Sequence, residues 1–335
     1  MRAPIFYVTD HVFDNLDIEE GIVSGVKGRL IVDAVSATPD QWLERAREAD
    51  VVVTCHAVLP ASFIEALERC VVIARYGVGI DNVDLEAATR AGIAVTHVPD
   101  YCVNEVSTHT LAMLLALNRR VVQLDRATRQ GRWHASDAGP VRRLSGQVLG
   151  LVGFGRNARA VAEKAASFGL VVVAYDPLVA PADLESVGVQ PVGLVELLET
   201  SDFVSLHVPL TDGTYHMIDE QALQRMKGTA YLINTARGGL VDTEALRVAL
   251  DRGLIAGAGI DVLEQEPPDV PLGCDSAVVT PHTAFASTES IADLKRLTFE
   301  RAVDVLEGRR PAVLANPAVW DNRRRWVTDV SGIGR

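Results

Sequence analysis

Cysteine is scarce in this sequence. Four occur among 335 residues, at Cys55, Cys70, Cys102 and Cys274, and none stands in a CxxC pair or at Cys/His ligand spacing. That pattern offers neither a disulfide framework nor a zinc site, and no metal is expected. Long apolar runs are missing as well. No stretch approaches the ~20 residues that a membrane-spanning helix needs. Residues 1–8 form too short an apolar run for a signal peptide and carry no cleavage site. Positive charge is in deficit: 32 Lys and Arg face 44 Asp and Glu, a formal net charge of -12. Such a field repels phosphate backbones, so nucleic acid is not an expected partner. The run Arg323, Arg324, Arg325 is a short terminal patch of the kind that water normally solvates. Internal repeats and low-complexity segments are also lacking. What remains is an ordinary cytoplasmic protein with no membrane partner.

What is present is a rhythm. At roughly 150 residues per domain the length suggests two domains, each able to bury a core. Hydrophobic residues make up 48% and charged residues 23%, normal for a globular chain. Short Val- and Ile-rich runs at 5–8, 30–32, 51–54, 71–74 and 94–97 read as strands, with helices expected over 39–48, 60–69 and 85–91. A second series of strands is expected at 148–152, 171–175, 203–206, 231–234, 257–261 and 277–280. Strands apolar on both faces, alternating with helices, fit buried parallel sheets. The expected fold class is therefore α/β, with two Rossmann-like doubly wound parallel-sheet domains and a cleft between them. A mostly buried helix is expected over 104–118, then a polar, irregular stretch over 119–145 suited to an interface or lid. A last helix is expected over 291–307.

The most specific local pattern begins at residue 150. Gly153, Gly155 and Ala158 give G-x-G-x-x-G/A between a strand and a helix. The first glycine makes the tight turn, the second admits a pyrophosphate, and the third small residue lets helix and strand pack. Amides at the helix start then face the phosphates. The loop residues Gly153, Phe154, Gly155, Arg156 and Asn157 are the candidate cofactor contacts. The next strand ends in Asp176, about twenty residues on, where a carboxylate can accept from ribose hydroxyls. That charge would repel a 2′-phosphate, and no arginine follows it over 177–183, which favours NAD over NADP.

Three further segments end strands of the second series, where doubly wound folds place ligands. They are Asn234-Thr235-Ala236-Arg237-Gly238-Gly239, then Asp261-Val262-Leu263-Glu264-Gln265-Glu266-Pro267-Pro268, then Thr280-Pro281-His282-Thr283-Ala284-Phe285. With the glycine loop upstream, the chain resembles the D-isomer-specific 2-hydroxyacid dehydrogenase family over nearly its whole length. The chemistry accounts for these residue types. Reducing a 2-keto acid takes a hydride at C2 and a proton at its oxygen. An arginine fork can grip the carboxylate and polarise the carbonyl. A histidine can move the proton, and a neighbouring glutamate stabilises its imidazolium and fixes its tautomer. The resemblance implies Arg237 as substrate clamp, His282 as acid/base and Glu266 as its orienting partner, with the hydride carried by NAD.

The same resemblance implies further contacts. The loop Arg75-Tyr76-Gly77-Val78-Gly79 is similar to one whose amides hold the substrate carboxylate. His207, Val208, Pro209 and Thr214 resemble a segment lining the cofactor riboses. Thr235 and Ala236 fall near the nicotinamide ribose, Asp261 near the carboxamide and Thr110 near the cofactor phosphates. Arg75 and Phe285 match the C-terminal-binding-protein-like branch, with a phosphoglycerate dehydrogenase-like relation also open. Arg75 would add a second cation and favour a doubly anionic substrate. Glu266 argues against the formate dehydrogenase branch, which carries glutamine there. An alternative reading is an NAD(H)-sensing scaffold of the C-terminal-binding-protein type with weak or no turnover.

Family resemblance implies a discontinuous, flavodoxin-like substrate domain of residues 1–101 plus 293–335, and an NAD-binding Rossmann domain of residues 102–292. The chain is expected to cross between them near 99–103 and 290–294. A homodimer through the NAD domains is implied, with the 119–145 stretch reaching the partner. Trp133 either anchors that contact or is a local core aromatic.

Overall fold

The computed structural model describes residues 2–32, 39–270 and 272–326. The first elements in chain order are β1 (Ile5–Val8), α1 (Asp17–Gly25), β2 (Arg29–Val32), α2 (Pro39–Ala46), β3 (Val51–Thr54), α3 (Ala61–Glu65), β4 (Val72–Arg75), α4 (Leu85–Arg90) and β5 (Ala94–Thr96). Next come α5 (Val103–Asn118), α6 (Val121–Arg129), β6 (Val148–Val152), α7 (Arg156–Ala166), β7 (Val171–Tyr175), α8 (Pro181–Glu185), β8 (Gln190–Pro191) and α9 (Leu194–Thr200). The remainder are β9 (Phe203–Leu206), α10 (Glu220–Arg225), β10 (Tyr231–Asn234), α11 (Thr243–Asp251), β11 (Gly257–Ile260), β12 (Ala277–Val279) and α12 (Thr288–Leu306).

These elements divide into two compact units. The first holds the described residues up to Tyr101 and those from Ser287 onward; the second is Cys102–Ala286. Residues 290–294 therefore lie inside an unbroken helix. The division falls one residue before α12, where Ser287 caps the helix through a reciprocal capping box with Ser290.

In the first unit five parallel strands run in the order β2-β1-β3-β4-β5, the flavodoxin-like arrangement. Alternate residues feed opposite layers. Phe6, Val8, Val51, Val53, Val72 and Ala74 enter one core, and Tyr7, Val52, Ile73 and Val95 the other. The second layer is closed by α2, α3 and α4. The first is closed by α1 and by α12, through Leu294, Phe299, Ala302 and Val305. The sheet needs this helix because the described residues up to Tyr101 supply only α1 for that face.

The second unit is a seven-stranded parallel sheet, β12-β11-β10-β9-β6-β7-β8. Counted within the unit, this is the 3-2-1-4-5-6 dinucleotide-binding order with one more strand added beyond the sixth. One face packs on α5 and α7 through Leu111, Leu114, Ala158 and Val161. The other packs on α9, α10 and α11 through Leu197, Leu223, Leu246 and Leu250. Strand order reverses between β6 and β9, so their carboxyl ends open side by side.

Several local expectations are corrected. The 119–145 stretch is not irregular throughout. It contains α6, whose Asp125 and Arg129 pair at i,i+4, and a 3₁₀ turn over Ala135–Ala138. Its polar composition concealed a helix exposed on most sides. The helix expected over 60–69 stops at Glu65, because the next amides tighten to i→i+3 bonds, Ala66 N–H to Phe63 and Leu67 N–H to Ile64. β8 is two residues of sheet edge containing Pro191, too short to show periodicity. Trp133 is 82% exposed and so is not a core aromatic.

Candidate active site

The glycine loop is built by backbone geometry. Gly153 has φ +90°, and a Cβ there would lie 2.8 Å from the His207 carbonyl oxygen and 2.8 Å from Val208 Cγ1. Only glycine fits. Its N–H donates to the Tyr175 carbonyl at 2.8 Å, and His207 N–H donates to the Val152 carbonyl at 2.7 Å, so the turn is nested between the ends of β7 and β9. Gly155 is the N-cap of α7 and has open space where a Cβ would sit. It puts no side chain over the first-turn amides, which suits an anion. Ala158 is fully buried against the sheet, as its place in the motif requires. Phe154 is buried, with the Arg159 guanidinium 4.6 Å from its ring centroid. Arg156 and Asn157 form the first turn of α7.

Asp176 does more than end β7. Its Oδ2 accepts from Phe154 N–H and its Oδ1 from Leu178 N–H, both at 2.8 Å. Each oxygen keeps a further lone pair, so the carboxylate can fix the loop and still accept from a ribose diol. Across the sheet, the Thr110 and Thr235 hydroxyls lie 2.9 Å apart. This places the Thr110 hydroxyl beside the Asn234–Arg237 turn. His207 keeps part of its surface, but desolvation of the ring pushes it down to about 4, so it is neutral near pH 7. Its Nε2 lies 2.9 Å from Ser205 Oγ. The Thr214 hydroxyl is engaged by its own turn, accepting from Thr211 N–H at 2.8 Å and donating to the Pro209 carbonyl at 2.7 Å.

The Arg237, Glu266 and His282 segments meet at the ends of β10, β11 and β12. His282 Nδ1 lies 2.7 Å from Glu266 Oε2, and Leu263 N–H donates to Glu266 Oε1 at 2.9 Å. With Nδ1 facing the carboxylate, Nε2 is the other ring nitrogen that can carry a proton. His282 has φ +53°, a left-handed conformation that costs on the order of 1–3 kcal/mol and persists only when its surroundings impose it. Asp261 imposes it. Its carbonyl accepts from His282 N–H at 2.7 Å. Its buried carboxylate accepts from Thr280 Oγ1 at 2.5 Å, Thr283 N–H at 2.9 Å and Ala284 N–H at 2.9 Å. His109 on α5 adds a contact of 3.0 Å to Thr280 Oγ1. The Phe285 ring stands edge-on to His282, with centroids 6.3 Å apart.

Arg237 follows a turn closed by Asn234, whose Nδ2 donates to the Arg237 carbonyl at 2.8 Å and whose Oδ1 accepts from Ala236 N–H at 3.0 Å. Arg237 Nη1 donates to the Ala236 carbonyl at 2.7 Å. The roles of Asn234 and Asp261 in holding these turns were not read from the sequence. Both stood inside the quoted motifs, but nothing in a linear pattern says that a carboxylate points back into its own loop.

The remaining candidates belong to the first unit. Arg75 ends β4, and its Nη1 donates to the Tyr76 carbonyl at 2.6 Å. The guanidinium covers Gly77, which has φ +128°. Tyr76 is buried, and its hydroxyl donates to Glu19 at 3.0 Å; burial pushes its phenol up. The following turn is pinned by Val98 N–H on the Gly77 carbonyl at 2.9 Å and by His97 Nδ1, 2.8 Å from the Val78 carbonyl. Gly79 completes the turn. Among the described residues no cluster of three or more His, Cys, Asp or Glu could hold a metal ion. Likewise no helix there is long and apolar enough to cross a membrane.

Comparison with known proteins points to one family. Residues 111–284 match the family model described as D-isomer specific 2-hydroxyacid dehydrogenase, NAD binding domain. A glyoxylate reductase of Korarchaeum cryptofilum is 42% identical over 285 residues, covering 83% of this chain and 86% of that protein. A hydroxypyruvate reductase of Thermotoga maritima is 36% identical, covering 84% and 92%. The crystal structure of an Aquifex aeolicus D-lactate dehydrogenase, complexed with NAD and lactic acid, superposes with TM-score 0.82 at 28% identity, covering 95% of this chain and 98% of that one. With the seven-stranded sheet, its glycine loop and these matches together, the chain belongs to the D-isomer-specific 2-hydroxyacid dehydrogenase family and is an NAD-dependent oxidoreductase of that family.

Proposed function

We propose that this enzyme interconverts a small 2-keto acid and its D-2-hydroxy acid, with Arg237, Glu266 and His282 as the reacting set and glyoxylate or hydroxypyruvate as the first substrates to test. The observation that carries the reading is the 2.7 Å His282–Glu266 pair, set on the same sheet edge as Arg237 and the glycine loop. Gly153, Phe154, Gly155, Arg156 and Asn157 would hold the NAD pyrophosphate and Asp176 the adenosine ribose. Asp261, Thr235, Ala236, Thr110 and the His207–Pro209 segment line the nicotinamide end. NAD supplies the hydride that arrives at or leaves from C2. Arg237 grips the carboxylate with its fork of donors and draws charge toward the C2 oxygen. In the reducing direction protonated His282 gives its Nε2 proton to that oxygen, and the neutral ring then takes a proton back from solvent. Glu266 holds Nδ1–H throughout, which fixes the tautomer and stabilises the imidazolium.

The first unit is assigned the substrate role through the Arg75–Gly79 loop, whose glycines let backbone amides approach a carboxylate. A homodimer through the NAD-binding units is also proposed. Support comes from Trp133 at 82% exposure and Val121 at 55%, both apolar groups on the 119–145 stretch; light scattering reads the mass directly. The activity test is NADH oxidation with glyoxylate, hydroxypyruvate, pyruvate and oxaloacetate. Turnover that falls by orders of magnitude in His282→Asn supports the reading. Tight NADH binding with no turnover on any of the four overturns it in favour of a cofactor-sensing scaffold.

A further inference from the structure

The loop that carries Glu266 holds a second His–Glu pair that the chemistry above does not use. His216 Nε2 lies 2.6 Å from Glu264 Oε1. The other oxygen of Glu264 accepts from Thr243 N–H at 3.0 Å, the first amide of the nine-residue helix α11, where the helix dipole favours a negative charge. Tyr215 stacks on the His216 ring with centroids 3.9 Å apart and an interplanar angle of 16°. Asp242 Oδ2 lies 3.9 Å from His216 Nδ1. Burial works against the charged form of Glu264, but the hydrogen bonds from His216 and Thr243 outweigh it and hold its carboxyl below the ordinary range.

The pair closes a ring through the backbone. His216 N–H donates to the Gly239 carbonyl at 2.8 Å, and His216 itself has φ +49°. One residue earlier in that turn, a Cβ on Gly238 would fall 2.0 Å from the Leu263 carbonyl carbon and 2.4 Å from Glu264 N. The backbone at 263–264 is thus pressed directly on Gly238, next to Arg237. Leu263 N–H in turn holds Glu266 Oε1. Both side chains of the pair are 29% exposed, so water screens their attraction and its value as bulk stability is small. What the pair fixes is position.

We infer that Glu264, braced by His216 and Thr243, is a positioning residue that sets the Glu266 loop against the Arg237 turn, keeping proton transfer and carboxylate binding in register. The inference rests on the proposed roles of Glu266 and Arg237. Displacing a reacting group by about 1 Å costs on the order of 100-fold in rate, and the brace lies one step removed from the reacting atoms. Glu264→Ala is therefore expected to lower kcat about 10-fold with the keto-acid KM changed less than about 3-fold. Glu264→Gln keeps an acceptor for Thr243 N–H and can donate its amide N–H to the Nε2 of a neutral His216, so it should recover most of that loss.

The experiment pairs steady-state kinetics with amide hydrogen exchange of the cofactor-free protein, read on the peptide spanning 261–266. Glu264→Ala should speed exchange there and leave the 148–158 peptide unchanged. If Glu264→Ala does not fold, His216→Asn takes its place, since asparagine tolerates the left-handed backbone but is too short to reach Glu264. Glu266→Gln runs beside them. Unaltered kcat in Glu266→Gln would overturn the reading of the active site itself. A large loss in Glu266→Gln, with kcat and exchange both at parent level in Glu264→Ala, would overturn the brace alone. A Gln variant as impaired as the Ala variant would also overturn it.

Discussion

Asp50 and Asp202 occupy matching places in the two units. Each precedes its unit's central strand and ties the first strand to it. Asp50 N–H donates to the Ile5 carbonyl at 2.9 Å and Asp202 N–H to the Val148 carbonyl at 2.8 Å. Asp50 Oδ2 accepts from Ile5 N–H at 2.8 Å and Asp202 Oδ2 from Val148 N–H at 2.9 Å. Each is also met by two cations, Arg2 and Arg69 in one case, Arg142 and Lys227 in the other. Yet their titration runs in opposite directions. Burial dominates at Asp50 and raises its carboxyl above 3.8. At Asp202 burial is outweighed by Val148 N–H, Lys227 and Arg142, and the carboxyl is lowered below 3.8. One architectural solution can thus carry opposite electrostatic signs, because the balance depends on neighbours that the strand pattern does not dictate.

The carboxyl ends of the two sheets differ in the same manner. Both carry a strained glycine loop. In the second unit Gly155 leaves the start of α7 open, while in the first the Arg75 guanidinium lies 1.8 Å from where a Gly77 Cβ would be. One loop offers bare amides at a helix start; the other comes with its own cation. The second unit should accordingly govern kcat and cofactor affinity, and the first should govern discrimination among keto acids.

The sharpest way to break that division is His282→Asn. It removes a general acid/base worth about 10²–10⁴ in rate, and kcat should fall by that range with NADH affinity, read by fluorescence, unchanged. Gly153→Ala comes next. It forces a Cβ into the left-handed region and to within 2.8 Å of the His207 carbonyl oxygen. A cost of about 1–3 kcal/mol for such strain corresponds to NADH binding weakened roughly 5- to 150-fold by titration. Gly77→Ala is its counterpart in the first unit. There φ +128° strains a Cβ as well, but the atom in its way is the flexible end of Arg75 rather than backbone, so a smaller effect is expected, about 5-fold on keto-acid KM with NADH affinity unaltered. A Gly77→Ala variant that weakens NADH but not the keto acid would erase the distinction between the loops.

The aspartates offer a test by pH. Asp202 has a lowered folded pKa, so its contribution is present above about 3.8 and lost as pH falls from there through the folded value. Asp202→Asn should destabilise by about 1–3 kcal/mol at pH 7, and denaturant titrations should show that gap closing below pH 4. Asp50 has a raised folded pKa, so its charged form carries a cost that is relieved as pH falls toward 3.8. Asp50→Asn should therefore cost less at pH 7, and its difference from the parent should not close in the same direction. The smallest effect is expected from Arg75→Ala. A doubly anionic keto acid such as oxaloacetate should lose about 3-fold more in kcat/KM than glyoxylate; equal losses on the two would remove Arg75 from substrate discrimination.

Much of this was legible in the sequence where physics is local and periodic. Val51–Val53, Val171–Tyr175 and Tyr231–Asn234 read as buried strands because both their faces are apolar. Gly153, Gly155 and Ala158 announced a dinucleotide loop because each answers a separate steric demand. Arg237, Glu266 and His282 gained meaning only together, each at a strand end. Contacts made by a loop with itself or with a distant turn were not legible. That Asp261, expected near the carboxamide, also holds Thr280, Thr283 and Ala284 with its carboxylate was not legible. His216 and Glu264 are 48 residues apart, and neither belongs to a periodic pattern. α6 was hidden because five of its nine positions are polar and it buries only Ala127.

The covering of the first unit's sheet by α12 has a consequence during synthesis. Phe6, Val53 and Val72 leave the ribosome long before Phe299, Ala302 and Val305, the residues that share their core. The second unit has all its strands and covering helices by Ala286 and can finish folding while one face of the earlier sheet is covered by α1 alone. A nascent chain stalled before Thr288 would therefore carry a completed nucleotide-binding unit and an adhesive, half-built partner. Among the described residues α12 is the last α-helix in the chain, and the face it completes is the last to be covered.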